Sequence, residues 1–189
     1  LNGKYEMKDL GALSNYVGIR VRTAVDGKSL EMDQRAALEE ILEDFGMARC
    51  SASVSTPVDP KVEAADDPAN PLPKMSSNDA TRYRELVGRL IYISRCTRPD
   101  ISYAVGVLAR FMQSPTEKHW QWGKRVLRYL KGTLHLVLRF IVEGIGEDMT
   151  VVGYSDSDWA GCLSTRKSTS GQVFMLGQCA LSWKSGRQA

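Results

Sequence analysis

Residues 114–133 read SPTEKHWQWGKRVLRYLKGT. This run carries the most explicit helix signals in the chain. Ser114 is predicted as N-cap, with Pro115 at the first helical position and Glu117 closing a capping box. Lys131-Gly132 supplies the cation and the glycine that a helix C-terminus favours. At about 100° per residue, Trp120, Gly123, Val126, Leu127 and Leu130 share one face. Lys124, Arg125, Arg128 and Lys131 lie on the adjoining arc. A basic ridge beside an apolar seam suits a helix packed on a core with its cations towards a phosphate backbone. A solvated basic face with no ligand has the same pattern, and periodicity does not choose between them.

Two more helices are predicted upstream. One spans about Thr81 to Arg95, with Tyr83, Leu86, Val87, Leu90 and Ile91 at helical spacing. The next starts near Asp100, a good cap residue, and carries Ile101, Ala104, Val105, Leu108 and Met112. Before them, residues 51–80 hold five of the seven prolines, Pro57, Pro60, Pro68, Pro71 and Pro73. Proline fixes φ and has no N–H, so neither a helix nor a central strand runs through such a stretch. It reads as a linker or long surface loop. Residues 1–50 are mixed. Tyr16 to Val21 is a strand candidate, Asp26-Gly27 a hairpin signal, and Leu30 and Met32 fit a returning strand. A helix capped by Asp33 follows, with Ala37, Leu38, Ile41, Leu42 and Phe45 inward, Glu39, Glu40, Glu43 and Asp44 outward, and Gly46 as its stop.

Downstream the period changes to two. Leu134 to Val142 alternates, Gly144-Ile145-Gly146 breaks it, and Val151 to Ser155, Gln172 to Leu176 and Ala180 to Trp183 follow as short strands. Gly177-Gln178 turns between the last two. Helices in the middle and short antiparallel strands at the ends predict an α+β chain.

Length and composition fit that reading. The chain has 189 residues, 43% hydrophobic and 25% charged, which excludes wholesale disorder and a disulfide-dense miniprotein. It holds no apolar run of membrane-spanning length and no segment that reads as a signal peptide, so no membrane partner is expected. It begins at Leu1, as a piece of a longer protein would. The net charge of +3 hides unlike parts: −5 over residues 1–80, +8 over 81–145, and zero over 146–189. The basic centre raises nucleic acid as a partner. Cys50, Cys96, Cys162 and Cys179 form no C-x-x-C pair, and His119 and His135 add no zinc spacing. Scattered thiols fit a reducing, intracellular compartment.

The sequence that could carry chemistry is Tyr154-Ser155-Asp156-Ser157-Asp158-Trp159. Carboxylates at a strand end can share a hard divalent cation with substrate phosphates. Two-metal phosphoryl chemistry needs more carboxylates than these two. Asp and Ser are equally the common turn formers. Gly144-x-Gly146 lacks the third glycine of a dinucleotide fingerprint, and Asp66-Asp67 sits in the linker.

Eleven segments in one order carry a resemblance: MKDLG (7–11), YVGI (16–19), FGM (45–47), TP (56–57), YRELVGRLIYI (83–93), TRPDISYAVGVLARFM (97–112), SPTEKHW (114–120), RVLRYLKGT (125–133), YSDSDWAG (154–161), RKSTSG (166–171) and SWKSGRQ (182–188). Together they resemble the polyprotein of copia-type LTR retrotransposons, from the end of the reverse transcriptase palm through the thumb into the RNase H region. The resemblance implies incomplete palm strands plus a helix in residues 1–50, a linker in 51–80, and a helical thumb-like segment in 81–133. A connecting strand in 134–148 and a truncated, partial three-stranded antiparallel RNase H-like sheet in 149–189 complete it. It implies that Asp156 is a catalytic, metal-binding carboxylate and that Mg²⁺ is the cofactor, weakly held. It assigns Asp158 to the same motif without a separate role. The implied partners are an RNA–DNA hybrid or other duplex, held by Lys124, Arg125, Arg128 and Lys131, and the remainder of the polyprotein. The family's palm Asp pair is expected before Leu1 and its further RNase H carboxylates after Ala189, so this stretch alone is expected to be catalytically incomplete. A non-catalytic interaction module, or a relic without function, is the alternative.

Overall fold

The computed structural model describes residues 11–50, 54–58, 72–141, 150–159 and 166–188. Most of MKDLG, most of the proline-rich stretch with Asp66-Asp67, the Gly144-Ile145-Gly146 break, Gly161 and Cys162 lie outside the described residues.

The expected strand at Tyr16–Val21 is divided by a tight turn. β1 (Asn15–Tyr16) and β2 (Ile19–Thr23) pair antiparallel around Val17 and Gly18, whose φ values are 49° and 75°. Two successive positive φ values make the two-residue hairpin turn that matches strand twist. The Asp26-Gly27 signal holds: Gly27 has φ 70°, Asp26 Oδ1 accepts the Lys28 N–H (2.9 Å), and β3 (Ser29–Asp33) returns along β2. The strand expected over Leu134–Val142 is shorter. Residues 133–135 turn, and among the described residues of that run only β4 (Leu138–Ile141) is an assigned strand. β4 pairs antiparallel with β3, placing Leu30 opposite Phe140 and Met32 opposite Leu138. The first sheet therefore runs β1-β2-β3-β4 and joins the two sides of the helical segment.

Among the described residues, four α-helices build the core. α1 (Arg35–Asp44) starts after Gln34, not Asp33. Asp33 instead accepts the Arg35 N–H (3.0 Å) and is gripped by the Arg20 and Arg22 guanidinium groups. α2 (Ser77–Cys96) begins inside the stretch expected to be linker, because Ser76 caps it by accepting the Asp79 N–H (3.2 Å). A 3₁₀ turn at Pro99–Ile101 takes the expected first turn of the next helix, and α3 spans Ser102–Ala109. α4 spans Glu117–Gly132. Its N-cap is Thr116, not Ser114, and the box is closed by His119, whose Nδ1 accepts the Thr116 N–H (3.0 Å). Glu117 is the first helical residue and does not close it.

The helices share one apolar cluster. Leu38 and Ile41 of α1 and Phe45 at its C-cap meet Tyr83, Leu86 and Leu90 of α2, Val105 and Leu108 of α3, and Val126, Leu127 and Leu130 of α4. Residues 37–50 thus pack on the helical segment. Gly123 lets α4 approach α2, since a Cβ there would lie 3.0 Å from Leu86 Cδ2. Val58 also packs against this core, so the proline-rich stretch is pinned at that point.

A second sheet follows, in the order β5 (Val151–Ser157), β6 (Thr169–Leu176), β7 (Cys179–Arg187), all antiparallel. Gly177, at φ 57°, opens the β6–β7 turn. The sheet docks on the helices through β7 and β6. Trp183 Nε1–H donates to the Ser94 carbonyl of α2 (2.7 Å), and Arg110 at the end of α3 donates to Thr169 Oγ1 (3.2 Å). Cys50 and Cys96 are half-buried free thiols and Cys179 is buried. No helix among the described residues is long and apolar enough to cross a membrane.

Candidate functional site

Strand register decides where Asp156 lies. Asp156 pairs with Gly171, and Gly171 with Ser185; two residues along, Tyr154 pairs with Val173 and Val173 with Trp183. Side chains alternate along a strand, so Asp156, Tyr154, Trp183 and Ser185 belong to one face. Trp183 bonds to α2, which makes this the face turned to the helices. Between it and the start of α3 lies a groove of about 790 Å³, bounded on the helical side by Asp100 and Tyr103.

Asp156 is exposed at the groove, and its Oδ1 accepts the N–H of Ser157 (2.8 Å). Asp158 is half-buried and structural. Its Oδ1 accepts the Thr169 N–H, and its own N–H donates to the Thr169 carbonyl (3.2 Å), clamping the end of β5 to the start of β6. Asp100 belongs to a different network. Burial raises its pKa, but the hydrogen bonds and charge of Arg98, with a hydrogen bond from Tyr129, outweigh burial and hold it below the ordinary carboxylate range. Tyr103 and Trp183 were not singled out by sequence pattern. Register puts Trp183 on the face of Asp156, and the start of α3 brings Tyr103 to the same groove.

A hard dication asks for several oxygen ligands converging on one point. Among the described residues no three His, Cys, Asp or Glu side chains form such a group, and Asp158 is already engaged by Thr169. The described donor set does not fit the Mg²⁺ that the resemblance implies.

The basic arc of α4 is divided in use. Arg125 donates to Thr56 Oγ1 (3.1 Å), and Lys131 Nζ donates to the Cys50 carbonyl. These two cations fasten the start of the proline-rich stretch, and the residue just before it, to α4. Lys124 Nζ stands 5.6 Å from the centre of the Trp120 ring, a cation–π contact. Neither Lys124 nor Arg128 makes an ion pair among the described residues. The four predicted side chains therefore remain on one helix, but they are not equivalent.

Comparison with curated proteins finds relatives along the whole chain. One is named Retrovirus-related Pol polyprotein from transposon TNT 1-94, of Nicotiana tabacum, 35% identical over 189 residues, covering 100% of this chain and 14% of that protein. Another is the Pol polyprotein from transposon RE1 of Arabidopsis thaliana, 37% identical over 194 residues, covering 100% of this chain and 12% of that protein. An uncharacterized mitochondrial protein of Arabidopsis thaliana is 38% identical over 188 residues, covering 100% of this chain and 73% of that protein. The chain thus spans a small part of the two polyproteins and nearly three quarters of the mitochondrial protein. No family model matches the chain, and no solved structure does.

Proposed function

The chain belongs to the Pol polyproteins of copia-type retrotransposons, and from that premise we propose that it is the duplex-gripping joint between the reverse transcriptase and RNase H regions. The observation that carries this reading is the face of α4. An apolar seam of Val126, Leu127 and Leu130 is buried in the core, and beside it Lys124 and Arg128 make no ion pair among the described residues. Cations held on a rigid helix next to its packed side can track a phosphate backbone without reading bases. Arg125 and Lys131 support the ridge indirectly, by holding Thr56 and Cys50 against it.

In this reading Asp156 is the first carboxylate of an RNase H-like site that the described residues do not complete. RNA-directed DNA synthesis and RNA hydrolysis, the work implied for the whole polyprotein, draw on carboxylates beyond it. The 189-residue chain is expected to bind an RNA–DNA hybrid without cleaving it.

Affinity measured as salt is raised tests the proposal. Each phosphate contact contributes a slope of about −0.9 in log K against log salt. K124A/R128A should therefore flatten the slope by about 2. Hybrid binding that is absent at low salt, or unchanged between about 50 and 200 mM, sinks the reading.

A further inference from the structure

A second pocket, of about 510 Å³, opens beside the Asp156 groove and shares Tyr103, Thr169 and Ser185 with it. Three cations line it: Arg110 from the end of α3, Lys167 from the approach to β6, and Arg187 from the end of β7. No Asp or Glu is among the described residues that line it. None of the three cations makes an ion pair among the described residues. Asp158 lines the adjoining groove and is tied to the Thr169 N–H. Like charges gathered without a counterion repel, and a bound anion removes that repulsion.

The arrangement also selects the kind of anion. Arg110 uses one Nη2 donor on Thr169 Oγ1 (3.2 Å), which orients its guanidinium. Its remaining donors form a planar fork suited to phosphate oxygens. Lys167 and Arg187 approach from two other parts of the chain, so donors arrive from several directions, as a tetrahedral group with several acceptor oxygens requires. The volume exceeds that of a single small ion and has room for a sugar–phosphate unit.

We infer that this pocket seats a phosphodiester of the nucleic-acid backbone on Arg110, Lys167 and Arg187. The strand carrying that phosphate then continues into the adjoining groove, past Tyr103 towards Asp156. The inference rests on the duplex-binding reading above and adds a second grip, on the sheet side of the molecule and away from α4.

Two arms test it on the whole chain. In the first, inorganic phosphate is titrated while the side-chain N–H resonances of Arg110 and Arg187 are followed by NMR. Saturable shifts that weaken in R187A support the pocket, and no shift at either arginine overturns it. In the second arm, K167A/R187A is assayed on an RNA–DNA hybrid. Both side chains are exposed, so melting should be unchanged while the salt slope flattens by about 2. R110K should bind the hybrid more tightly than R110A, because it keeps the charge. If wild type binds the hybrid and K167A/R187A has the same affinity and slope, the pocket inference fails and the α4 reading stands. If phosphate binds but the hybrid slope does not change, the pocket takes free phosphate and the phosphodiester assignment is overturned. If wild type does not bind the hybrid at all, the α4 reading fails, and with it the phosphodiester assignment.

Discussion

Arg98 is the clearest case of a single side chain organising its surroundings. Its side chain is 3% exposed. Nε and Nη2 reach the two oxygens of Asp100 (3.0 and 2.7 Å), Nη1 donates to the Thr133 carbonyl (3.2 Å), and Nη2 also donates to Thr133 Oγ1 (2.6 Å). The Tyr129 hydroxyl completes the set on Asp100 (2.9 Å). A buried charge stripped of its partner is costly, so R98A is expected to lose about 3–5 kcal/mol. The carboxyl of Asp100 is held below its usual range, so its native pKa lies below the unfolded value of about 3.9. Its stabilising increment is full above that value and is lost as pH falls through the folded pKa. Urea denaturation from pH 6 down to about 2.5 should show wild type losing stability on the acid side more steeply than D100N. Parallel curves would overturn this assignment. The sequence marks Asp100 as a helix cap. It is instead an ion-pair partner in a 3₁₀ turn, because the other ligands of Arg98 come from the end of α4, which local spacing does not register.

At the scale of elements, the start of α4 separates what spacing shows from what contacts decide. Ser114-Pro115 followed by Glu117 satisfies every local rule for a capped helix. The chain instead stays extended through Thr116, at φ −118° and ψ 166°. Lys74 forms a bridge with Thr116, and the Met75 N–H donates to the Pro115 carbonyl (3.0 Å). A segment some forty residues upstream therefore holds Thr116 in β geometry and moves the cap two places on. His119 takes the box position, and its ring stacks on Phe111 with centroids 3.7 Å apart. H119A is expected to cost at least about 1 kcal/mol through the lost cap. E117A, at an exposed first-turn residue, should stay within about 0.5 kcal/mol. Equal losses in thermal denaturation would restore Glu117 as the capping partner. Other elements were legible. The acidic outer face and apolar inner face of α1, and the Asp26-Gly27 and Gly177-Gln178 turns, stand where pattern put them, because each is decided by neighbours a few residues away.

At the largest scale, the two antiparallel sheets of the described residues attach to one helical core in different ways. The first is tied in by β4, whose Arg139 pairs with Glu31 across 108 residues of sequence. The second leans on α2 and α3 through Trp183 and Arg110, while every residue of β5, its outer strand, is exposed. Trp183 therefore couples sheet to core, beside Arg110. W183F keeps most of the apolar contact and removes the donor to Ser94, at a cost of about 1 kcal/mol. We expect exchange protection in β6 and β7 to fall while the α2 core stays protected. A uniform change across both regions would show that the sheet and core unfold as one unit by other contacts.

The sequence by itself determined the kinds of element, their order, which helix faces are apolar, the concentration of positive charge in the centre, and the family through eleven collinear segments. Those properties follow from composition and from periods of a few residues. Only the tertiary structure decided that β4 pairs with β3, that Arg125 and Lys131 are spent on Thr56 and Cys50, and that Asp156 faces a groove shared with Tyr103 and Trp183. It also brought Arg110, Lys167 and Arg187 to one pocket. The physical reason is that hydrogen-bond partners, register and the convergence of like charges depend on distances in space between residues far apart in the chain. A one-dimensional pattern carries the tendency of each segment but not its neighbours.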